Sequence, residues 1–319
     1  MNRLPLVILT GPTAVGKTEL SIELAKKING AIISADSMQI YKFMDIGSAK
    51  IRPEEMQGIR HYLVDELMPK EPFHICRFQQ MAKEALQEIY SNGQIPIVVG
   101  GTGFYIQSLI YDISFSDQEQ DSAYRRQLQE FAAQHGAHAL HEKLKDIDPV
   151  SYETIHENNI KRTIRALEFY EQTGTPISGH NEAERQKTSP YNFAYFVLTD
   201  DRQVIYERIE KRVDLMMEEG LVEEVQRLKD MGCHRDMVSM QGLGYKEILD
   251  YLDGKTTLEE AVAKIKLETR HFAKRQLTWF HREQDVIWLD KRDYDRNSSL
   301  ILAQIQKELQ QRAIIKETE

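Results

Sequence analysis

Gly11-Pro12-Thr13-Ala14-Val15-Gly16-Lys17-Thr18 fits the spacing G-x-x-x-x-G-K-[ST], and it follows the apolar run Leu4 to Leu9, which reads as a strand. Backbone N–H groups of such a loop point into an anion cavity. The helix beginning near Lys17 adds its positive end, and the Thr18 hydroxyl can hold Mg²⁺. The ligand is therefore expected to carry at least two phosphates. A second chemical group comes from Ala35-Asp36-Ser37-Met38-Gln39-Ile40-Tyr41, where a carboxylate follows the second apolar run. Asp36 can accept a proton from an incoming nucleophile, bind Mg²⁺ through water, or simply cap the turn that follows. A third is Gly100-Gly101-Thr102-Gly103-Phe104-Tyr105, whose glycines let backbone approach a ligand beside the Thr102 hydroxyl. Arg202, Arg208 and Arg212 recur along one expected helix, and one or more can reach the diphosphate; ordinary surface arginines explain them equally well.

Two other groups look less productive. His61-Tyr62-Leu63-Val64-Asp65 offers only a weak magnesium-binding Asp, so the signal for nucleotide hydrolysis is poor. His135, His138 and His141 drift around a helix rather than sharing a face, Gly136 interrupts them, and no carboxylate partner stands out; no metal site is expected there.

These groups need a scaffold. Leu4 to Leu9, Ala31 to Ser34, Tyr62 to Val64 and Ile95 to Val99 read as strands, and between them Glu19 to Ile28 and Phe78 to Tyr90 repeat apolar residues at helical spacing. That alternation predicts a parallel α/β sheet, with ligands gathered beyond the carboxyl ends of its strands. From about Ser116 to Gln186 the strand signal gives way to helical stretches rich in Gln, Glu, Arg and His. Phe193 to Leu198 and Val286 to Leu289 then return as strands, with long helices expected over Gln203 to Met231 and Leu258 to Arg282. The domains expected are a core of residues 1–115 and 190–319 and a helical insertion of residues 116–189.

Length and composition suit an enzyme of this build. The 319 residues are 41% hydrophobic and 29% charged, within the ordinary globular range. The longest apolar runs are about strand length, so neither a transmembrane helix nor a signal-peptide core is expected, and the simplest placement is cytoplasmic. Cys76 and Cys233 form no C-x-x-C pair and read as inert thiols. A net charge of −9 argues against nonspecific coating of nucleic acid. Yet Lys264, Lys266, Arg270, Lys274, Arg275 and Arg282 stand against Glu268 alone, with Phe272, Trp279 and Phe280 interleaved, and Lys161, Arg162 and Arg165 form a second cluster. Each cluster suits either a grip on one polyanion or a solvated helix face.

Taken together, GPTAVGKT (11–18), ADSMQIY (35–41), GGTGFY (100–105), IKRTIRALE (160–168), RIEKRVDLMMEEGL (208–221), MQGLGYKE (240–247) and TRHFAKRQLTWF (269–280) resemble the bacterial tRNA dimethylallyltransferases, in order and over most of the chain. The resemblance implies an α/β, P-loop NTPase-like parallel sheet flanked by helices, with an all-helical insertion that binds tRNA. It implies transfer of a dimethylallyl group from dimethylallyl diphosphate to N6 of the adenine 3′ of a tRNA anticodon. Residues 11–18 would hold the diphosphate with Mg²⁺ on Thr18, helped by Arg208 or, in preference, Arg212. Asp36 would be the general base and Thr102 would position the adenine. Ser37, Met38 and Gln39 would read the flipped base and its neighbours, and Arg125 with Lys161, Arg162, Thr163, Ile164 and Arg165 would touch tRNA. Met38 and Ile40 stand where family members often carry Arg and Val, and no cysteine and histidine zinc module like that of eukaryotic relatives is read after Cys233, so a chain of bacterial type is expected. A monomer is expected. The rival readings are a small-molecule kinase, a prenyltransferase acting on free adenine nucleotide, and a noncatalytic tRNA-binding regulator.

Overall fold

In the computed structural model, which describes residues 3–115, 123–185 and 187–316, six strands form one parallel sheet. They are β1 (Leu4–Thr10), β2 (Gly30–Ala35), β3 (His61–Tyr62), β4 (Ile95–Gly100), β5 (Tyr191–Thr199) and β6 (Val286–Asp290), in the order β3-β2-β4-β1-β5-β6. The central strands are buried along nearly their whole length because helices cover both faces, which is why they read as apolar runs rather than alternations. Val7 and Leu9 pack in one core with α1 (Lys17–Ile28) and α12 (Ser298–Gln311), while Leu6 and Ile8, pointing the other way, are equally buried. The opposite face carries α2 (Ile75–Ser91) and α3 (Gly103–Ile110), joined by the stack of Phe78 on Tyr105 at 4.4 Å.

Two departures from the expected elements have local causes. Tyr62 to Val64 does not continue as a strand, since Leu63 and Asp65 adopt φ of 62° and 58° and β3 stops at Tyr62. Gln203 to Met231 is two helices, α8 (Arg202–Glu218) and α9 (Leu221–Asp230), divided at Gly220, where φ is 98°. After α9 come α10 (Tyr245–Leu252) and α11 (Leu258–Phe280), the latter opened by a capping box between Thr257 and Glu260.

The chain divides into two units, residues 1–110 with 190–319, and Tyr111–Ser189. The second is all-helical among its described residues: α4 (Ala123–Glu142), α5 (Pro149–Thr154), α6 (Ile160–Thr173) and α7 (Ile177–Arg185). Its core joins Leu128, Ala132 and Leu140 of α4 to Ile164, Ala166 and Leu167 of α6. Gly136, at φ 86° and ψ 166°, breaks α4, so the three histidines serve separate purposes. His135 lies against Phe131, His138 meets Glu157 at 2.9 Å, and His141 bonds the Ile155 carbonyl at 2.8 Å. Among the described residues no helix is long and apolar enough to cross a membrane.

Candidate active site

Strand register builds the site. Gly100, the last residue of β4, pairs with Thr10 on one side and Ala35 on the other, so the loops after β1, β2 and β4 leave the sheet at one level. Residues 11–18, Asp36 and Gly101-Thr102 are thereby brought together, as the carboxyl-end rule requires. Thr10 adds a 2.6 Å bond from its hydroxyl to the Gly100 carbonyl, and the Thr102 N–H bonds the Ala35 carbonyl at 3.2 Å.

The phosphate loop is shaped by close approach and by its helix. A Cβ on Gly11, where φ is 145°, would lie 2.2 Å from the Leu198 carbonyl oxygen, so no other residue fits. Gly16 caps α1 without a side-chain hydrogen bond, leaving the first-turn amides for an anion. The Lys17 Nζ lies 2.9 Å from the carbonyl oxygens of both Gly11 and Pro12, across the mouth of the loop. Burial and, after it, the charge of Arg212 lower its pKa to about 7 against the opposing pull of Asp36. Arg212 is the arginine of α8 whose charge acts on Lys17. Arg208, with Arg296, holds the buried Asp200 at the end of β5, at 3.4 and 3.0 Å, and its charge acts on Lys291. Arg202 bonds the Tyr206 hydroxyl.

Asp36 does two things. Its Oδ1 accepts the Met38 N–H at 2.8 Å and the Gln39 N–H at 3.3 Å, fixing the turn after β2. Burial nevertheless raises its pKa above the ordinary carboxylate range, against those two bonds and the Lys17 charge. The capping and proton-accepting readings of this residue are compatible, because both backbone bonds end on Oδ1.

Of the residues expected to read the base, two also build the loop that carries them. A Cβ on Gly242 would lie 2.8 Å from the Met38 Sδ, so Met38 packs on the turn before α10. The Gln39 amide donates to the Ala49 carbonyl at 3.2 Å and accepts from the Ser34 hydroxyl at 3.4 Å. Asp65 is committed to Lys50, whose Nζ also holds the Asp45 carboxylate and the Tyr41 carbonyl. In the helical unit, Arg125 forks onto the buried Glu168 with its Nε 3.0 and 3.1 Å from the two carboxylate oxygens. Lys161 and Arg162 are exposed and Arg165 is half-buried, whereas Thr163 and Ile164 are buried in the helical unit and do not face a ligand in this arrangement. The basic helix α11 spends part of its charge internally, since Lys266 pairs with Asp214 at 2.6 Å and Arg270 with Glu210. Lys274, Arg275 and Arg282 remain exposed.

Three residues absent from the sequence-based site belong to it. Lys291 follows β6, and its Nζ reaches the Val15 carbonyl at 3.3 Å, bracing the phosphate loop from outside. Gln276 of α11 bonds both the phosphate loop and Gly101. Glu224 of α9 accepts the N–H groups of Asp45, Ile46 and Gly47 at 2.9, 2.8 and 3.1 Å and the Tyr245 hydroxyl at 2.8 Å. That nest shapes the segment following the Asp36 turn. Glu224→Ala leaves three amides and a phenol without their acceptor, and is expected to cost about 3 kcal/mol in urea unfolding, with Glu224→Gln costing less. Equal unfolding midpoints for the alanine variant and the wild type would rule out this role.

A magnesium ion fits the donor set. Among the described residues no cluster of three His, Cys, Asp or Glu could cage a cation. The exposed Thr18 hydroxyl, however, lines a small cavity with Ser21, Ser34, Gln39 and His61. Mg²⁺ commonly takes one or two protein oxygens and completes its shell with water and substrate phosphates, which is what such a set offers.

The sequence profile of the IPP transferase family matches residues 39–283. The chain is 61% identical over 312 residues to a tRNA dimethylallyltransferase of Lachnoclostridium phytofermentans, covering 98% of this chain and 99% of that one. It is 52% identical over 296 residues to one of Acetivibrio thermocellus, covering 93% and 95%. Among solved structures, the tRNA isopentenylpyrophosphate transferase of Bacillus halodurans matches with a TM-score of 0.72 at 45% identity, over 97% of this chain and 98% of that one. A eukaryotic dimethylallyltransferase acting on tRNA matches with a TM-score of 0.82 at 28% identity, over 98% of this chain and 81% of that one. With a family match over most of its length and near-full-length relatives at this identity, the chain belongs to the IPP transferase family, beside the bacterial tRNA dimethylallyltransferases.

Proposed function

We propose that the chain transfers a dimethylallyl group from dimethylallyl diphosphate to N6 of the adenine 3′ of a tRNA anticodon, with Asp36 as general base and residues 11–18 holding the diphosphate. The observation that supports this reading is the shared level of three loops, which brings residues 11–18, the Asp36 carboxylate and Thr102 to one end of the sheet. The N6 lone pair attacks C1 of the dimethylallyl group, the C1–O bond breaks with its electron pair leaving on diphosphate, and the N6 proton passes to Asp36. An adenine amine is a poor nucleophile because its lone pair is delocalised, so base removal of the proton belongs to the same event. Lys17, Arg212 and the loop amides neutralise the charge that grows on the leaving oxygen. Mg²⁺ held by Thr18 and the phosphates would add Lewis-acid neutralisation of that charge.

A stacked anticodon-loop base must leave the stack to meet these groups, so base flipping is part of the reaction. Lys161, Arg162 and Arg165 of the helical unit and Lys274 and Arg275 of α11 supply cations for RNA phosphates, while Arg125 is held on Glu168. Placement in the cytoplasm follows from this substrate.

Purified protein with Mg²⁺ and labelled dimethylallyl diphosphate is expected to label tRNA carrying adenine 3′ of the anticodon. Label on AMP instead, or consumption of ATP alone, would reject the assignment in favour of a free-nucleotide prenyltransferase or a kinase.

A further inference from the structure

Along α11 the buried residues are Ala261, Ile265, Ala273, Gln276 and Phe280, so a primary amide sits in an apolar stripe. Gln276 is 6% exposed, and a buried amide must find partners or lose stability. It has them on two separate loops. Its Oε1 accepts the Thr13 N–H at 2.9 Å, and its Nε2 donates to the Gly101 carbonyl at 3.0 Å. A backbone N–H can only donate and a carbonyl can only accept, so these partners fix the orientation of the amide. The approach is close: a Cβ on Gly101 would lie 2.0 Å from Nε2. From Gly101 the path continues in one step, since the next residue, Thr102, donates its N–H to Ala35, the neighbour of Asp36. One side chain therefore connects the loop that would hold the leaving group with the residues that would receive the nucleophile. Thr13 gives its N–H to Gln276, and so bears on the anion cavity through its own placement.

We propose that Gln276 is a positioning residue that couples occupancy of the phosphate loop to the geometry of Gly101-Thr102 and, through Ala35, of Asp36. The inference rests on the assignment of residues 11–18 to diphosphate. An anion that orders Thr13 tightens the bond to Gln276 Oε1, and the same rigid amide then holds the Gly101 carbonyl. The acceptor side is competent only when the donor is seated. Such coupling is reciprocal between two binding sites, and it needs direct measurement because a chain of contacts alone does not establish it.

The test is amide hydrogen exchange on the full chain with Mg²⁺ and inorganic diphosphate. In the wild type, diphosphate is expected to slow exchange in residues 11–18 and also in residues 100–105. In Gln276→Met, which fills the space but makes neither bond, protection is expected to persist at 11–18 and vanish at 100–105. Turnover should fall ~10²-fold in this variant, the scale of an ångström-level misplacement, with tRNA affinity unchanged. Gln276→Glu keeps the volume and the acceptor for Thr13 but replaces the donor to Gly101, and should lose the coupling likewise, which decides the matter even if the methionine variant does not fold. A residue that merely packed α11 would change exchange in both loops equally, with or without diphosphate. Wild-type protection confined to 11–18, or coupling retained in Gln276→Glu, overturns this inference and leaves the diphosphate assignment standing. No protection at 11–18 overturns both.

Discussion

Asp36→Asn is expected to bind tRNA as the wild type does while turnover falls by ~10²-fold or more, the scale for losing a general base. The geometry makes asparagine the informative substitution. Both backbone bonds to this side chain, from Met38 and Gln39, end on Oδ1. An asparagine keeps an oxygen there and so keeps the turn, but its NH₂ replaces the oxygen that would take the proton from N6. Asp36→Ala removes the turn bonds as well and is expected to weaken tRNA binding in addition to turnover. The pH profile supplies a second check. Because burial raises the Asp36 pKa, the acid side of the wild-type profile should fall at a higher pH than an exposed aspartate would give. The base must be ionised to act, so the rate rises with pH through that limb, and Asp36→Asn should abolish it. Single-turnover rates measured with tRNA saturating separate chemistry from binding. An asparagine variant with wild-type single-turnover rates would remove Asp36 from proton transfer.

The sheet was legible in the sequence because its central strands are buried on both faces and so appear as uninterrupted apolar runs. β3 was overextended because positive φ at Leu63 and Asp65 has no signature in residues that usually avoid it. The reading of one long helix after β5 missed a break at Gly220, a residue that in retrospect carries the signal. Spacing alone does not choose between Arg208 and Arg212, since a step of four puts both on one side of α8; only the family resemblance prefers Arg212. What separates them is tertiary: Asp200, at the end of β5, engages Arg208 together with Arg296 from far along the chain, while the charge of Arg212 acts on Lys17. Gln276 and Glu224 share a signal that could have been found. Each is a polar residue at a core-facing position of an amphipathic helix, Gln276 between Ala273 and Phe280, and Glu224 between Leu221 and Leu228. A polar group in such a stripe has to be bonded to something. Lys291 carried a weaker mark, its place directly after a strand.

Lys17→Met is expected to lower turnover by ~10³-fold, comparable with removing a donor from an oxyanion site. The loop itself should survive, since it is also held by Gly11 against Leu198 and by the Thr13 bond to Gln276. The less obvious consequence concerns protons. With its pKa near 7, Lys17 is mostly neutral at pH 8, and an arriving diphosphate favours the charged ammonium. Binding at pH 8 should therefore take up ~1 proton in the wild type beyond whatever Lys17→Met takes up, which cancels the ligand's own titration. Calorimetry in buffers of different ionisation enthalpy measures that difference. The same shift acts on stability. The folded pKa lies below the ordinary 10.5, so between about 7 and 10.5 the unfolded chain binds more protons and this group makes stability rise with pH. Lys17→Met should flatten that part of the profile. Equal proton uptake in the two proteins would mean that Lys17 does not change charge when diphosphate binds, and only unchanged turnover in Lys17→Met would pass the leaving-group role to Arg212 and the loop amides.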